Sequence, residues 1–230
     1  RASKNSCVDF GIYLGAASDN AKLLPKIAEY ACALKMFLNE TFNSLNLNSM
    51  TEWKHHFENF PLDKPICCHA EGQALGSVLF LANLYQRSVH ICHVATREDI
   101  ELIRVAKEHK VQVTCEVAPH HLFLTKKDLP EGYREVRPRL GTKEDVKALW
   151  ENIHLIDVIA TDHAPHTRAE KTEENAKPGF PGLETCLPLM LTAVNEGRIT
   201  LQDLIDKMSI NPRRIFNLPA CDPETWVEVD

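Results

Sequence analysis

The chain has 230 residues, 44% of them hydrophobic, enough to bury one substantial core but short of the roughly 250 residues typical of a complete (β/α)8 barrel. Its net charge of −6 comes from 32 acidic and 26 basic residues that are intermixed. That pattern leaves no basic stripe to follow a phosphate backbone and excludes nucleic acid as a partner; an anionic substrate would have to be met by local cations. Eight cysteines without a CxxC pair are the usage of a reducing, cytoplasmic compartment, and no apolar run approaches the ~18 residues of a membrane span.

In chain order, short apolar or β-branched runs predict strands at 8–14, 33–38, 65–69, 88–94, 111–116 and 157–162. Amphipathic stretches between and after them predict helices at 19–32, 49–59, 71–86, from Thr96 onward, at 142–152, 184–196 and 200–208, and a terminal turn starting at Pro212. Ser49 with Glu52 has capping-box spacing, and Thr96 with Asp99 opens a helix whose Ile100, Ile103 and Ala106 form an apolar stripe. Residues 168–182, polar and then rich in Pro and Gly, read as a long loop. Strands alternating with helices make a parallel α/β sheet, either doubly wound or a (β/α)8 barrel, and ionisable groups at strand C-termini favour the barrel. The 230 residues are read as one domain with about six of eight barrel strands, incomplete at the N-terminus.

Four residues end such runs: Lys35, His69, His93 and Asp162. Alternation in Val89, Ile91, His93 and in Val158, Ala160, Asp162 puts the polar residue on the aliphatic, barrel-facing side. Two histidines and an aspartate converging at one mouth are a divalent-metal set, although each alone reads equally as a hydrogen-bonded core histidine or a turn-capping aspartate. A lysine at a strand end is costly to bury as a cation, so burial should favour the neutral amine, which can take up carbon dioxide as a bridging carbamate. The alternative is a lysine that snorkels to solvent or pairs with Glu40. Cys92 and Glu116 are candidates for a further metal site, although alternation turns Cys92 away from His93; a packed thiol and a satisfied carboxylate are the other reading. His55 and His56 sit on a predicted helix and are taken as solvent-facing, His120 and His121 as structural, and His163 as lying behind the site.

The segments LKMFLNETF (34–42), CHAE (68–71), HICHVA (90–95), CEVAPHH (115–121), TDHAPH (161–166) and GFPGLE (179–184) resemble the dihydroorotase family. The likeness is strongest to animal members fused with carbamoyl phosphate synthetase and aspartate transcarbamoylase, and continues through NPRRIF (211–216). It implies a (β/α)8 barrel with two zinc ions bridged by carboxylated Lys35, His69 and His93 as ligands of one ion, and Asp162 as ligand of the other and proton shuttle. It also implies substrate contacts from Arg137, His166, Pro181 and Gly182, and from Thr41 and Phe42 on a closing loop. The implied activity is reversible cyclisation of N-carbamoyl-L-aspartate to L-dihydroorotate, in a homo-oligomer. The family's first strand carries a His-x-His pair that this sequence lacks, so Arg1 is expected to follow that strand and the isolated 230 residues to be inactive. A dihydropyrimidinase or hydantoinase, and a non-catalytic scaffold of the same fold, are the competing readings; Arg137 and the Gly-Phe-Pro-Gly turn favour an acidic substrate.

Overall fold

Six parallel strands lie side by side in the order in which the chain makes them: β1 (Tyr13–Gly15), β2 (Ala33–Phe37), β3 (Ile66–His69), β4 (Val89–Ile91), β5 (Val113–Val117) and β6 (Val158–Ile159). The protein is seen in a computed structural model that describes residues 2–39, 45–172, 174–221 and 224–228. An order that never reverses is that of consecutive barrel strands, because a doubly wound sheet needs a point where the strand order turns back. This settles the choice that alternation of elements had left open.

The helices are α1 (Ala2–Asn5), α2 (Leu24–Ile27), α3 (Met50–Asn59), α4 (Gly72–Leu84), α5 (Arg97–Glu108), α6 (Pro119–Phe123), α7 (Lys143–Glu151), α8 (Arg168–Thr172), α9 (Cys186–Asn195), α10 (Leu201–Ile205) and α11 (Asn211–Ile215). Their starts follow local chemistry. Ser49 accepts from the Glu52 N–H in a full capping box, Thr142 and Asp145 form another, and Thr96 accepts from Asp99. Their ends are equally regular: Gln86, Lys110, Gly197 and Asn217 all have positive φ. Behind each, the next N–H reaches back five residues, as Arg87 does to Ala82 and Val111 to Ala106. These are Schellman caps, which stop a helix and send the chain back to the sheet.

One face of the sheet meets the helices. Leu34, Met36, Ile66, Cys68, Val89, Ile91, Val113, Cys115 and Val117 pack there with Leu75, Val78, Ile100, Ile103 and Leu149 in the main core. Full burial of Ile100 or Ile103 is worth about 1.5–3 kcal/mol. The other face carries a smaller cluster of Ala33, Cys67, Cys92 and Phe216.

Four sequence expectations are corrected. The first strand is only three residues long; Val8, Phe10 and Ile12 are 76%, 52% and 50% exposed and lie outside it. The helix expected at 19–32 is one turn, α2, followed by a 3-10 turn at Ala28–Tyr30 that ends where Ala31 becomes extended. The loop at 168–182 contains α8, and α6 was not anticipated in the run after Pro119. His56 is buried rather than solvent-facing, with Nε2 3.0 Å from the Ala17 carbonyl. Among the described residues no helix is long and apolar enough to cross a membrane.

Candidate metal and substrate site

Strand register builds the site in layers. Gly15, Lys35, Cys67, His90 and Thr114 are successive partners across β1 to β5, and alternation sends their side chains to the face opposite the main core. One step further along, Phe37 pairs with His69, and Glu116 occupies the matching place on β5.

This reverses the expected alternation in β4. Val89 and Ile91 point to the helices, whereas His90 and Cys92 belong to the inner face with Lys35 and Glu116. His93 nonetheless meets His69 because its backbone leaves the strand in the left-handed region, at φ 38°. Asp162 does the same past β6, at φ 47°. Such conformations cost non-glycine residues about 1–3 kcal/mol and are held by their surroundings. Around His93 the holding contacts are its own N–H, which donates to Glu116 Oε1 (3.3 Å), and the Val94 N–H, which donates to the Glu116 carbonyl (2.8 Å).

His69 Nδ1 and His93 Nε2 lie 2.9 Å apart, with the rings edge to face. Their other nitrogens, His69 Nε2 and His93 Nδ1, are buried without a hydrogen bond among the described residues, and His69 Nε2 lies 3.5 Å from Glu71 Oε1. Burial, Lys35 and His69 hold the His93 imidazole neutral, well below its ordinary pKa. Burial and the neighbouring Glu116 push the Asp162 carboxyl up to about 6, against the pull of Lys35. Burial alone would raise Glu116, but the hydrogen bond from His90 Nε2 (3.0 Å), the charge of that ring and Lys35 outweigh it and keep the carboxylate ionised.

Lys35 is buried, which favours its neutral form, while Cys92 Sγ at 2.8 Å and the Glu116 carboxylate raise the pKa of its ammonium above the ordinary lysine value. Burial in turn pushes the Cys92 thiol up to about 11 despite that ammonium. Cys92 and Glu116 are engaged with Lys35, His90 and the His93 N–H. Among the described residues no three His, Cys, Asp or Glu side chains gather closely enough to hold an ion. The converging nitrogens His69 Nδ1 and His93 Nε2 are a fitting but partial donor set. Lys35 joins it only if it exchanges N–H donors for acceptor oxygens.

The expected substrate residues lie on the loops. Arg137 Nη1 donates to Glu135 Oε2 (2.8 Å) and to the Val136 carbonyl (2.9 Å), and a cavity of about 560 Å³ opens beside it between Tyr133, Glu135, Arg139 and Lys171. Lys35, His69, His93 and Asp162 do not line that cavity. His166 Nε2 donates to the Pro178 carbonyl (3.1 Å). Gly182 is buried, and its N–H, with that of Leu183, donates to His163 Nδ1 (3.0 and 3.3 Å), while Pro181 is exposed. His163 therefore shapes the turn. Gly179 must be glycine: its φ is 143°, and a Cβ would stand 2.3 Å from the Ala164 carbonyl oxygen. Thr41 and Phe42 lie outside the described residues. Two residues were missed by sequence reasoning. His90, which braces Glu116, was signalled by its spacing of two from Cys92; Lys171, a buried ammonium on α8, carries no signal in a run of charged residues.

No family model matches the chain. Whole-protein comparisons do: it is 54% identical over its full length to the multifunctional protein CAD of Squalus acanthias and 52% identical to the multifunctional protein pyr1-3 of Dictyostelium discoideum. The chain spans about a tenth of the length of these two relatives. It is also 43% identical, over 70% of its length and 37% of the relative's, to the dihydroorotase of Pyrococcus furiosus. Among solved structures, the inactive dihydroorotase-like domain of a Chaetomium thermophilum CAD-like multifunctional protein superposes with a TM-score of 0.81 at 33% identity, over 95% of this chain and 62% of that one. L-hydantoinase from Arthrobacter aurescens superposes with 0.84 at 25% identity, over 91% of this chain and 56% of that one. With dihydroorotases on the sequence side and a dihydroorotase-like barrel on the structural side, the chain belongs to the dihydroorotase family of the amidohydrolase superfamily.

Proposed function

We propose that residues 1–230 belong to a dihydroorotase-type catalytic unit that interconverts N-carbamoyl-L-aspartate and L-dihydroorotate, and that the 230 residues alone are inactive. The observation that carries this is the buried His69–His93 pair, whose Nδ1 and Nε2 converge to 2.9 Å, beside a layer that holds Lys35 and Glu116. Zinc is the ion the donor chemistry suits: His69 and His93 would hold one ion, Asp162 the other, and carboxylated Lys35 both. When bound, such a pair supplies Lewis acidity and a water acidic enough to ionise near neutral pH.

The remaining work falls to side chains. Asp162, with its carboxyl pushed up to about 6, is poised to take a proton from the attacking water and return it to the departing ring nitrogen. Arg137 would exchange Glu135 for the substrate carboxylate, supplying the local cation that a chain of net charge −6 needs. His166 and the Pro181–Gly182 turn would hold the ring, and Thr41 and Phe42 would close over it. Carboxylation of Lys35 requires its ammonium to lose a proton and its contact with Cys92 to open.

The same reading places the chain beside other pyrimidine-synthesis activities in one polypeptide, as its long multifunctional relatives suggest, and takes the assembly as a cytoplasmic homo-oligomer. Two rivals have specific support: the hydantoinase superposition, and the inactive state of one dihydroorotase-like neighbour. Zinc-loaded full-length protein should hydrolyse dihydroorotate and not dihydrouracil, lose activity to a chelator and regain it with zinc. Preference for dihydrouracil would establish the hydantoinase reading; turnover of neither would establish the scaffold.

A further inference from the structure

Lys171 is 7% exposed, yet its ammonium faces backbone rather than a carboxylate. Nζ donates to three carbonyls, those of Glu135 (2.8 Å), Lys177 (2.9 Å) and Gly179 (3.0 Å), and stands 5.5 Å from the centre of the Phe180 ring. His120 also stacks on that ring, at 4.9 Å and 18°. The Gly179 N–H also donates to the Glu135 carbonyl (2.9 Å), so two loops far apart in sequence meet at one cation. One loop leads through Glu135 to Arg137; the other runs through Phe180 to Pro181 and Gly182. The approach is close: a Cβ on Gly132 would fall 1.9 Å from the Lys171 carbonyl oxygen.

We infer that Lys171 is a positioning residue, whose buried ammonium pins the Arg137 segment to the Phe180–Gly182 turn and thereby sets how tightly an anionic ring substrate is held. The inference rests on the dihydroorotase reading for the identity of the substrate, and on geometry alone for the pin. A purely structural lysine would hold the loops without affecting substrate affinity. Three charge-assisted donors converging from one atom cannot be replaced by a neighbouring side chain, so both loops should loosen together when the charge is removed.

The experiment is Lys171→Met in the full-length, zinc-loaded protein, read by steady-state kinetics with dihydroorotate and by amide hydrogen exchange. KM should rise about ten-fold or more with kcat within about three-fold, because the groups of the metal centre are untouched. Exchange should accelerate together in residues 133–139 and 177–183. An unchanged KM, or a kcat loss at constant KM, overturns the proposal, as does exchange that rises in one segment alone. If Lys171→Met does not fold, Lys171→Gln, which keeps two N–H donors without the charge, decides by the same criteria; failure of both to fold assigns Lys171 a purely structural role and overturns the proposal. If wild-type protein turns over no dihydroorotate, the functional reading fails while the pin stands or falls on the exchange data.

Discussion

His93 and Asp162 end their strands in left-handed backbone, a conformation uncommon for non-glycine residues but one that histidine and aspartate adopt more readily than most. The consequence is chemical: each side chain is swung out of the strand's alternation, which brings His93 onto His69 and carries Asp162 into the field of Glu116 and Lys35. Asp162→Asn tests the role of the acid without disturbing the turn, since asparagine shares the aspartate's size and its tolerance of positive φ. Turnover of dihydroorotate should fall about 10²- to 10⁴-fold with the melting temperature nearly unchanged. Wild-type rates in the variant would remove Asp162 from the proton path. Lys35, His69, His93 and Asp162 were legible as candidates because polar groups at the ends of apolar runs stand out. The geometry that joins two of them was not, because φ at a single residue is decided by what surrounds it.

Each βα unit is punctuated by local devices. Asp145 shows how these also join units: Oδ2 accepts from the Thr142 N–H (2.7 Å) and hydroxyl (2.8 Å), and Oδ1 accepts from the Arg97 N–H (2.9 Å), which ties the start of α7 to that of α5. Asp145→Ala leaves those donors without an acceptor and should cost about 1–3 kcal/mol, or several degrees in melting temperature. Lys147→Ala is the control, because its exposed pair with Glu151 at 3.5 Å is worth under about 1 kcal/mol. Equal losses in calorimetry would refute the linkage. The caps at Ser49 and Thr96 were readable because they depend on residues three apart. The strand expected at 8–14 shrank to Tyr13–Gly15 because only three residues pair with β2, and β propensity cannot form a strand without a partner.

Across the molecule, buried histidines couple stability to pH. Burial pushes His120 down to about 3 and His121 to about 4, although the Pro138 carbonyl favours the charged form of the latter. Unfolded histidines titrate near 6.5, so between about 6.5 and 4 the unfolded chain binds more protons and stability drops with falling pH, by up to about 1.4 kcal/mol per pH unit for each ring. Asp99 and Asp162, raised by burial, act in the opposite sense as pH falls through their folded values, but His56 and His93, also lowered by burial, add to the loss. The urea midpoint should therefore be lower at pH 5 than at pH 7; an equal or higher midpoint at pH 5 would contradict these burials. By itself the sequence determined the parallel α/β class, six strand positions, most helix starts and the four strand-end residues, since periodicity and capping act over a few neighbours. The tertiary structure alone decided that the strands run in unbroken order, that His90 and Cys92 rather than Val89 and Ile91 face Lys35, that Lys35 meets Cys92, and that Lys171 joins two loops. Each of these depends on atoms brought together from distant parts of the chain, where burial and opposing charge set the outcome.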